Sequence, residues 1–401
     1  MSSEERRGGP AAGNAEGAHG RPAVRPRTMM VHAGHGPDPH TGAVNVPIYL
    51  SSTFAQERPG VHKGYEYART GNPTREALER HIAALEGGVR GFAFASGLAA
   101  ETTLLSLLKA GDHVIVGDDV YGGTYRLVEQ VFTRLGLAAT YADTSDIDAF
   151  AAAFRPETRM VIMESLTNPL MKVSDLERVA EVTRAHGAWL VVDNTFLTPY
   201  FQRPLELGAD MVVHSATKYL GGHSDVVAGL VVVKDEELGQ RIHYLQNAMG
   251  AILGVQDSYL LLRGMKTLAL RMEAHAENAR RIAQWLAGQP WVTRVLYPGL
   301  PGHPGREILA RQATGFGGML SFDAGTPERA ERIVSRTRLF ALAESLGGVE
   351  SLISIPARMT HASIPPERRA RLGITDSLVR ISAGIEDAED LIEDLAQAAG
   401  E

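Results

Sequence analysis

The sequence predicts an α/β protein: a large, mostly parallel sheet domain followed by a smaller C-terminal α/β domain. Between about residues 72 and 235, helical periodicity alternates with short β-rich runs, as in a sheet joined by crossover helices. The 401-residue length exceeds the size at which one core stops growing, which predicts the second unit. A composition of 44% hydrophobic and 22% charged residues supplies enough apolar surface for both.

Along the chain, residues 1–27 mix Gly, Pro, Ala and charge without an apolar signal-peptide segment, and are expected to form a disordered tail. His32, His35 and His40 follow in "VHAGHGPDPH" without helical spacing, and are expected to be a solvent-exposed cluster rather than a metal site. "NPTREALERHIAALEGG" gives a helix with Asn72 as N-cap, Pro73 at its first position, Leu78, Ile82 and Leu85 on one face, and Gly87 as its stop. "GFAFASGLAAETTLLSLL" reads as a strand, a small-residue turn and a helix. "HVIV", "MVIME", "WLVVDN", "MVVHS" and "LVVV" are further strands, and "SDLERVAEVTRAHG" is a helix capped by Ser174 and ended by Gly187. Beyond residue 257, "LLLRGMKTLALRMEAHAENARRIAQWLA" is one long helix or two abutting ones, despite Gly264. The strand "GGMLSFDA" and the helices "TPERAERIVSRT" and "DAEDLIEDLAQA" complete the second domain.

Several function classes lose support. The formal net charge of -7 argues against a nucleic-acid partner. No run of about 18 apolar residues exists to span a membrane. The absence of cysteine excludes disulfides and thiolate chemistry, and with them any pointer to an oxidising compartment, so the expected location is cytoplasmic. Dinucleotide, P-loop and zincin motifs are missing.

The chemistry concentrates around Lys218 in "VVHSATKYLGGHSD". A lysine that ends a buried strand reaches water, pairs, or has its pKa lowered into the range of a Schiff-base nucleophile. Ser215 and Thr217 add hydroxyls beside it, and "SGLAA" at 96–100 opens a helix whose free N–H groups suit a phosphate. Asp193 ends the strand "WLVVD". Ligands of open α/β sheets bind at the carboxyl ends of the strands, where these residues converge. Amine for an aldehyde, acid for a ring nitrogen and donors for a phosphate together describe a pyridoxal 5'-phosphate (PLP) site.

The motifs "YEYARTGNPT", "ASGLAA", "DDVYGGTYR", "VDNTF", "HSATKYLGGHSD", "AESLGGVESL", "MTHASIP" and "LVRISAGIED" occur in the order found in the cystathionine γ-synthase and γ-lyase family, which the chain resembles throughout except in its tail. The resemblance implies the PLP-dependent transferase fold type I, like aspartate aminotransferase, with a PLP-binding domain at 72–257 and a C-terminal domain at 258–401. It implies that Lys218 carries the cofactor and moves protons, Asp193 faces the pyridine nitrogen, and Tyr121 stacks on the ring as a catalytic residue. Gly97, Leu98, Ser215 and Thr217 would hold the phosphate. Residues 28–71 would be an arm bringing Tyr67 and Arg69 to the neighbouring subunit's site within a homotetramer. Arg380, helped by Asn168 and Ser345, would grip an amino-acid substrate's carboxylate, although "ESL" replaces the family's "ETP" or "ESP" just before Asn168. Glu344 would face the distal ammonium of cystathionine.

The leading expectation is therefore γ-elimination on L-cystathionine, with homocysteine as a further substrate. Cystathionine γ-synthase, replacing the acyl group of an O-acylhomoserine by cysteine, is the alternative. Methionine γ-lyase, sulfhydrylase and specialised-metabolism γ-substitution rank below it. A catalytically silent binding protein is the reading from a different class, and the retained lysine, aspartate and arginine weigh against it.

Overall fold

The computed structural model describes residues 24–400; residues 1–23 of the expected tail lie outside them. The described chain begins with a short helix, Pro26–His32, and an extended arm in which Thr53 and Tyr67 form an antiparallel bridge. The arm is fastened to the body from beneath. Asn72 caps the helix Pro73–Glu86 by accepting from the Thr74 and Arg75 N–H groups (2.9 and 3.4 Å), and its amide donates to Tyr49 O (2.8 Å). The Thr74 hydroxyl donates to Pro47 O (2.7 Å), and buried Arg75 donates to Ala68 O and Arg69 O (2.7 and 3.1 Å). Gly87 ends the helix at φ 74°, as its position predicts.

Seven strands form the large sheet: β1 (Arg90–Phe94), β2 (His113–Gly117), β3 (Ala138–Ala142), β4 (Thr158–Glu164), β5 (Trp189–Asp193), β6 (Met211–Ser215) and β7 (Gly229–Val233). Their order is β1-β7-β6-β5-β4-β2-β3. The sheet is parallel except at β7, which runs against β6 and β1. Apolar residues divide between two cores, Val192 and Val212 on one face, Val191 and Val213 on the other. Burial on both faces is why these strands read as unbroken apolar runs. Strand β3, "AATYA", carries the weakest such run and was not among the expected strands.

The N-cap of the helix Leu176–Ala185 is Asp175, which accepts from Arg178 N, rather than Ser174. The Ser174 hydroxyl is engaged with Thr144 (2.7 Å) and its carbonyl accepts from Gln312 (2.9 Å), which takes it out of the capping role. The long helical stretch divides into Val255–Met265 and Leu268–Ala287, so the expected domain boundary at 257 falls inside the first of these. Gly264 has a reason: a Cβ there would lie 2.3 Å from Gly221 O, in the turn that carries Lys218. The second sheet has the order β10-β11-β12-β9-β8, from β8 (Arg294–Leu296), β9 (Met319–Asp323), β10 (Ala341–Leu342), β11 (Leu352–Ser354) and β12 (Leu378–Ser382). Its core includes Leu320, Phe322, Val379 and Ile381, with Leu391 and Leu395 from the closing helix Ala388–Ala399.

His35 departs from the expected exposed histidine cluster. It is half-buried, with its ring 5.5 Å from that of His81, while His32 and His40 are exposed. Among the described residues no cluster of three or more His, Asp or Glu side chains is arranged to hold a metal, and no helix is long and apolar enough to cross a membrane.

The capping network yields a prediction. Asn72→Ala removes both a helix cap and an arm tether, so stability should fall by about 1–2 kcal/mol. Thermal unfolding together with limited proteolysis of the arm measures it; an unchanged midpoint and cleavage rate would contradict the tether.

Candidate active site

Register across the parallel strands places Glu164 of β4 beside Asp193 of β5, and Asp193 beside Val213 of β6. The carboxyl ends of these strands open onto a cavity of about 450 Å³. Of the site residues expected from the sequence, Gly97, Leu98, Tyr121, Asn168, Asp193, Ser215, Thr217, Lys218, Glu344, Ser345 and Arg380 line it. Tyr67 and Arg69 do not line the cavity of their own chain. Tyr67 is 46% exposed, Arg69 lies over its ring at 5.3 Å, and Arg69 Nε donates to Asn247 (3.2 Å).

The turn after β6 presents Lys218. Thr217 closes the turn's base: its N–H donates to Ala228 O (3.3 Å), and its hydroxyl accepts from Ala228 N (3.1 Å). Gly222 N donates to Lys218 O (2.8 Å), and a Cβ on Gly347 would approach Tyr219 N to 2.7 Å. The Lys218 amine donates to the Ser345 hydroxyl (2.7 Å). Burial and the nearby Arg380 lower the lysine pKa to about 8, with Glu344 acting against them.

On the opposite wall, the helix Gly97–Leu105 starts at Ser96, whose hydroxyl accepts from Ala99 N. The N–H groups of Gly97 and Leu98 occupy the first turn, where a helix supplies no acceptors. This helix start lies against the strands: Gly97 packs tightly on Ser215, a Cβ falling 3.1 Å from Ser215 Cα, and a Cβ on Gly229 would stand 2.1 Å from Ser96 O.

Arg380, only 2% exposed, enters from β12 of the second domain. Its guanidinium donates to Asn168 Oδ1 and to Ser345 O, both at 3.0 Å. Burial lowers its pKa to about 10. Asn168 keeps this contact although Leu166 stands in the "ESL" step before it, and His361 Nε2 lies 2.9 Å from the Asn168 carbonyl.

Further residues share the cavity without having been singled out from the sequence: Glu101, Glu164, Thr195, Phe196 and Thr360 among them. Glu164 ends "MVIME" as Asp193 ends "WLVVD", a signal open to strand-end reasoning. Its Oε1 accepts from Tyr121 N (2.7 Å) and its Oε2 from Asn168 N (3.0 Å). Burial, then the charge of Asp193, raises its pKa well above the ordinary carboxylate range. Glu101 lies one turn into the helix Gly97–Leu105; one oxygen accepts from the Thr124 hydroxyl (3.0 Å), and burial followed by Asp193 pushes its pKa up to about 8. Burial also raises Asp193, against its hydrogen bonds from Thr195. Such concentrations of perturbed acids and bases in a cleft accompany chemistry.

These shifts give a prediction for the amine. Reductive modification of Lys218 by a small aldehyde should accelerate as pH rises through about 8, where the neutral nucleophile forms. Glu344→Gln removes the cause that raises the lysine pKa and should move the midpoint lower. Peptide mapping of the modified site at each pH measures it; a midpoint near that of a free lysine would refute the reading.

Comparisons with known proteins give the family of the chain. The family model described as "Cys/Met metabolism PLP-dependent enzyme" matches residues 27–399. The chain is 56% identical to cystathionine gamma-lyase of Bacillus subtilis (strain 168), over 94% of this chain and 99% of that one. It is 54% identical to cystathionine gamma-synthase of Mycobacterium bovis, over 94% and 97%. It is also 54% identical to cystathionine beta-lyase of Lactococcus lactis subsp. cremoris (strain MG1363), over 93% and 98%. The solved cystathionine gamma-lyase of Lactobacillus plantarum, complexed with L-serine, superposes with TM-score 0.92 at 50% identity, covering 94% of this chain and 98% of that one. Fold and sequence agree with the resemblance drawn from the motifs: the chain belongs to the PLP-dependent enzymes of cysteine and methionine metabolism, with the type I fold.

Proposed function

We propose that this enzyme catalyses γ-elimination on L-cystathionine, with water giving L-cysteine, 2-oxobutyrate and ammonia. The observation that carries the reading is the pairing of a lysine amine of lowered pKa with a buried guanidinium whose hydrogen bonds, among the described residues, go to neutral acceptors, across one small cavity. An unpaired buried guanidinium favours a carboxylate, which it binds in two-pronged fashion.

The cavity fits pyridoxal phosphate. Its volume lies in the range of small-molecule sites, about 300–1,000 Å³. The helix start at Gly97 and Leu98, with the hydroxyls of Ser215 and Thr217, suits the phosphate. Asp193 suits the pyridine nitrogen, Lys218 the aldehyde and Tyr121 the ring face. Bound there, the cofactor supplies an electron sink that acidifies the substrate's Cα–H and Cβ–H.

The chain's own groups do the rest. Arg380, with Asn168 and Ser345, orients the substrate carboxylate. Lys218 Nζ takes the proton from Cα, and its pKa near neutrality suits it both to accept protons and to return them. Ser345 Oγ holds that amine beside the reacting carbons. Glu344, exposed at the cavity wall, offers a negative charge to the distal ammonium of cystathionine, which favours this substrate over methionine. Tyr67 and Arg69, absent from their own cavity, serve the cofactor phosphate of a neighbouring subunit in a homotetramer.

The identity to a relative named as a γ-lyase supports elimination, and comparable identity to one named as a γ-synthase supports a second reading, replacement of the acyl group of O-acylhomoserine by cysteine. Incubation of the PLP-loaded enzyme with L-cystathionine alone discriminates. Cysteine with 2-oxobutyrate is expected; homocysteine with pyruvate would mean β-cleavage, and no turnover would favour the synthase. Lys218→Ala should abolish turnover. Arg380→Lys, which keeps the charge but not the fork, should raise KM by roughly tenfold to a hundredfold, as for loss of a charge-assisted hydrogen bond.

A further inference from the structure

We propose that Glu164 is a positioning residue that couples the cofactor-ring wall of the site to its substrate-carboxylate grip. The proposal rests on the roles assigned above to Tyr121, Asn168 and Arg380, and the geometry points to it independently of any titration. Glu164 is buried at the end of β4, and its two oxygens divide between two loops. One accepts from the N–H of Tyr121, in the loop after β2; the other accepts from the N–H of Asn168, in the loop after β4.

From Asn168 the connections continue without a break. Its side-chain oxygen meets Arg380 Nη1, Arg380 Nη2 meets Ser345 O, and the Ser345 hydroxyl meets the Lys218 amine. A rotation of the Glu164 carboxylate therefore moves the tyrosine and the asparagine together. A second carboxylate, Asp119, also bridges the two loops, accepting from the Thr167 hydroxyl and from Leu170 N. Asp119 holds the loop bodies together and is absent from the cavity lining, whereas Glu164 touches the two lining residues themselves. This division allows the loops to stay folded when Glu164 is changed. The charged groups that face Glu164 are Asp193 from β5, Asp119 from the loop after β2, Glu101 from the helix Gly97–Leu105 and Arg380 from β12. Arg380 and the two N–H donors favour a negative charge there, against burial and the three acids.

Glutamine supplies one acceptor and turns an N–H2 group toward the other donor, so Glu164→Gln breaks the bridge at nearly constant volume. The test uses the PLP-loaded enzyme and two ligands without a γ-leaving group. L-2-aminobutyrate carries the carboxylate and 1-aminopropane lacks it; binding of each is read from the cofactor's visible absorbance. The visible circular dichroism of the bound cofactor reports the ring wall separately. Glu164→Gln should cut the preference for aminobutyrate over aminopropane by roughly tenfold, the loss of one hydrogen bond, and should change the dichroism as well. Glu164→Asp, which keeps the acceptors on a shorter stem, should do both to a smaller degree and serves if the glutamine variant does not fold.

A lowered melting temperature with unchanged preference and dichroism would overturn the proposal, as would a change confined to one of the two readouts. Wild-type enzyme without the carboxylate preference, or Asn168→Ala retaining it, would instead overturn the roles given to Asn168 and Arg380.

Discussion

The buried guanidinium of Arg380 is the constraint around which the site is arranged. A cation removed from water is costly unless its donors are satisfied, and among the described residues this one donates to an amide oxygen and a backbone carbonyl. Those acceptors come from different parts of the chain. Asn168 follows β4 of the large sheet, Ser345 belongs to the second domain, and the arginine itself sits in the middle of β12. Ser345 takes part with φ at 86°, a region unfavourable for a residue with a side chain. Its carbonyl then faces Arg380 while its hydroxyl receives the Lys218 amine. One backbone conformation thus fixes both the Arg380 guanidinium and the Lys218 amine.

The negative side of the cavity has a different origin. Parallel strands end together, and β4 and β5 each end in an acid, so Glu164 and Asp193 are neighbours by register. Glu101 arrives from the helix that follows β1. Clustered acids away from water hold their protons to higher pH, and each bears on the others through its charge. Lys218 and Arg380 stand across the space with lowered pKa values of their own. Acids raised and bases lowered bring both sets toward neutrality, where proton movement between groups requires the least driving force.

Much of this was legible in the sequence, and the reasons can be traced to particular residues. The helix beginning at Asn72 carried its cap, its proline, its apolar face and its terminal glycine in plain order. Strand ends were readable because β5 and β6 are short apolar runs that close on Asp193 and Ser215, with Lys218 three residues further on. Reversed β7 was not readable, since an antiparallel strand covered on both faces looks like its parallel neighbours. Short strands such as β10 lay below any periodicity. The cap at Asp175 was misassigned to Ser174 because both residue types cap helices, and only the tertiary contact of Ser174 with Thr144 decides between them. Glu101 and Glu164 escaped notice for a related reason. A charged residue in a helix or at a strand end is ordinarily solvated, and their burial follows from packing the two loops and the helix over one cavity.

The turn that carries Lys218 is pinned at its base by Thr217 and Ala228, bound along its course at Gly222, and covered by Gly347 and Gly264 where no side chain would fit. Its backbone has nowhere to travel. Any movement of the amine comes from turning the bonds of a single aliphatic stem about a fixed pivot. Such a swing needs no loop to open. The reach of the amine is then set by the length of lysine itself: arginine or ornithine at the same pivot would sweep a different arc.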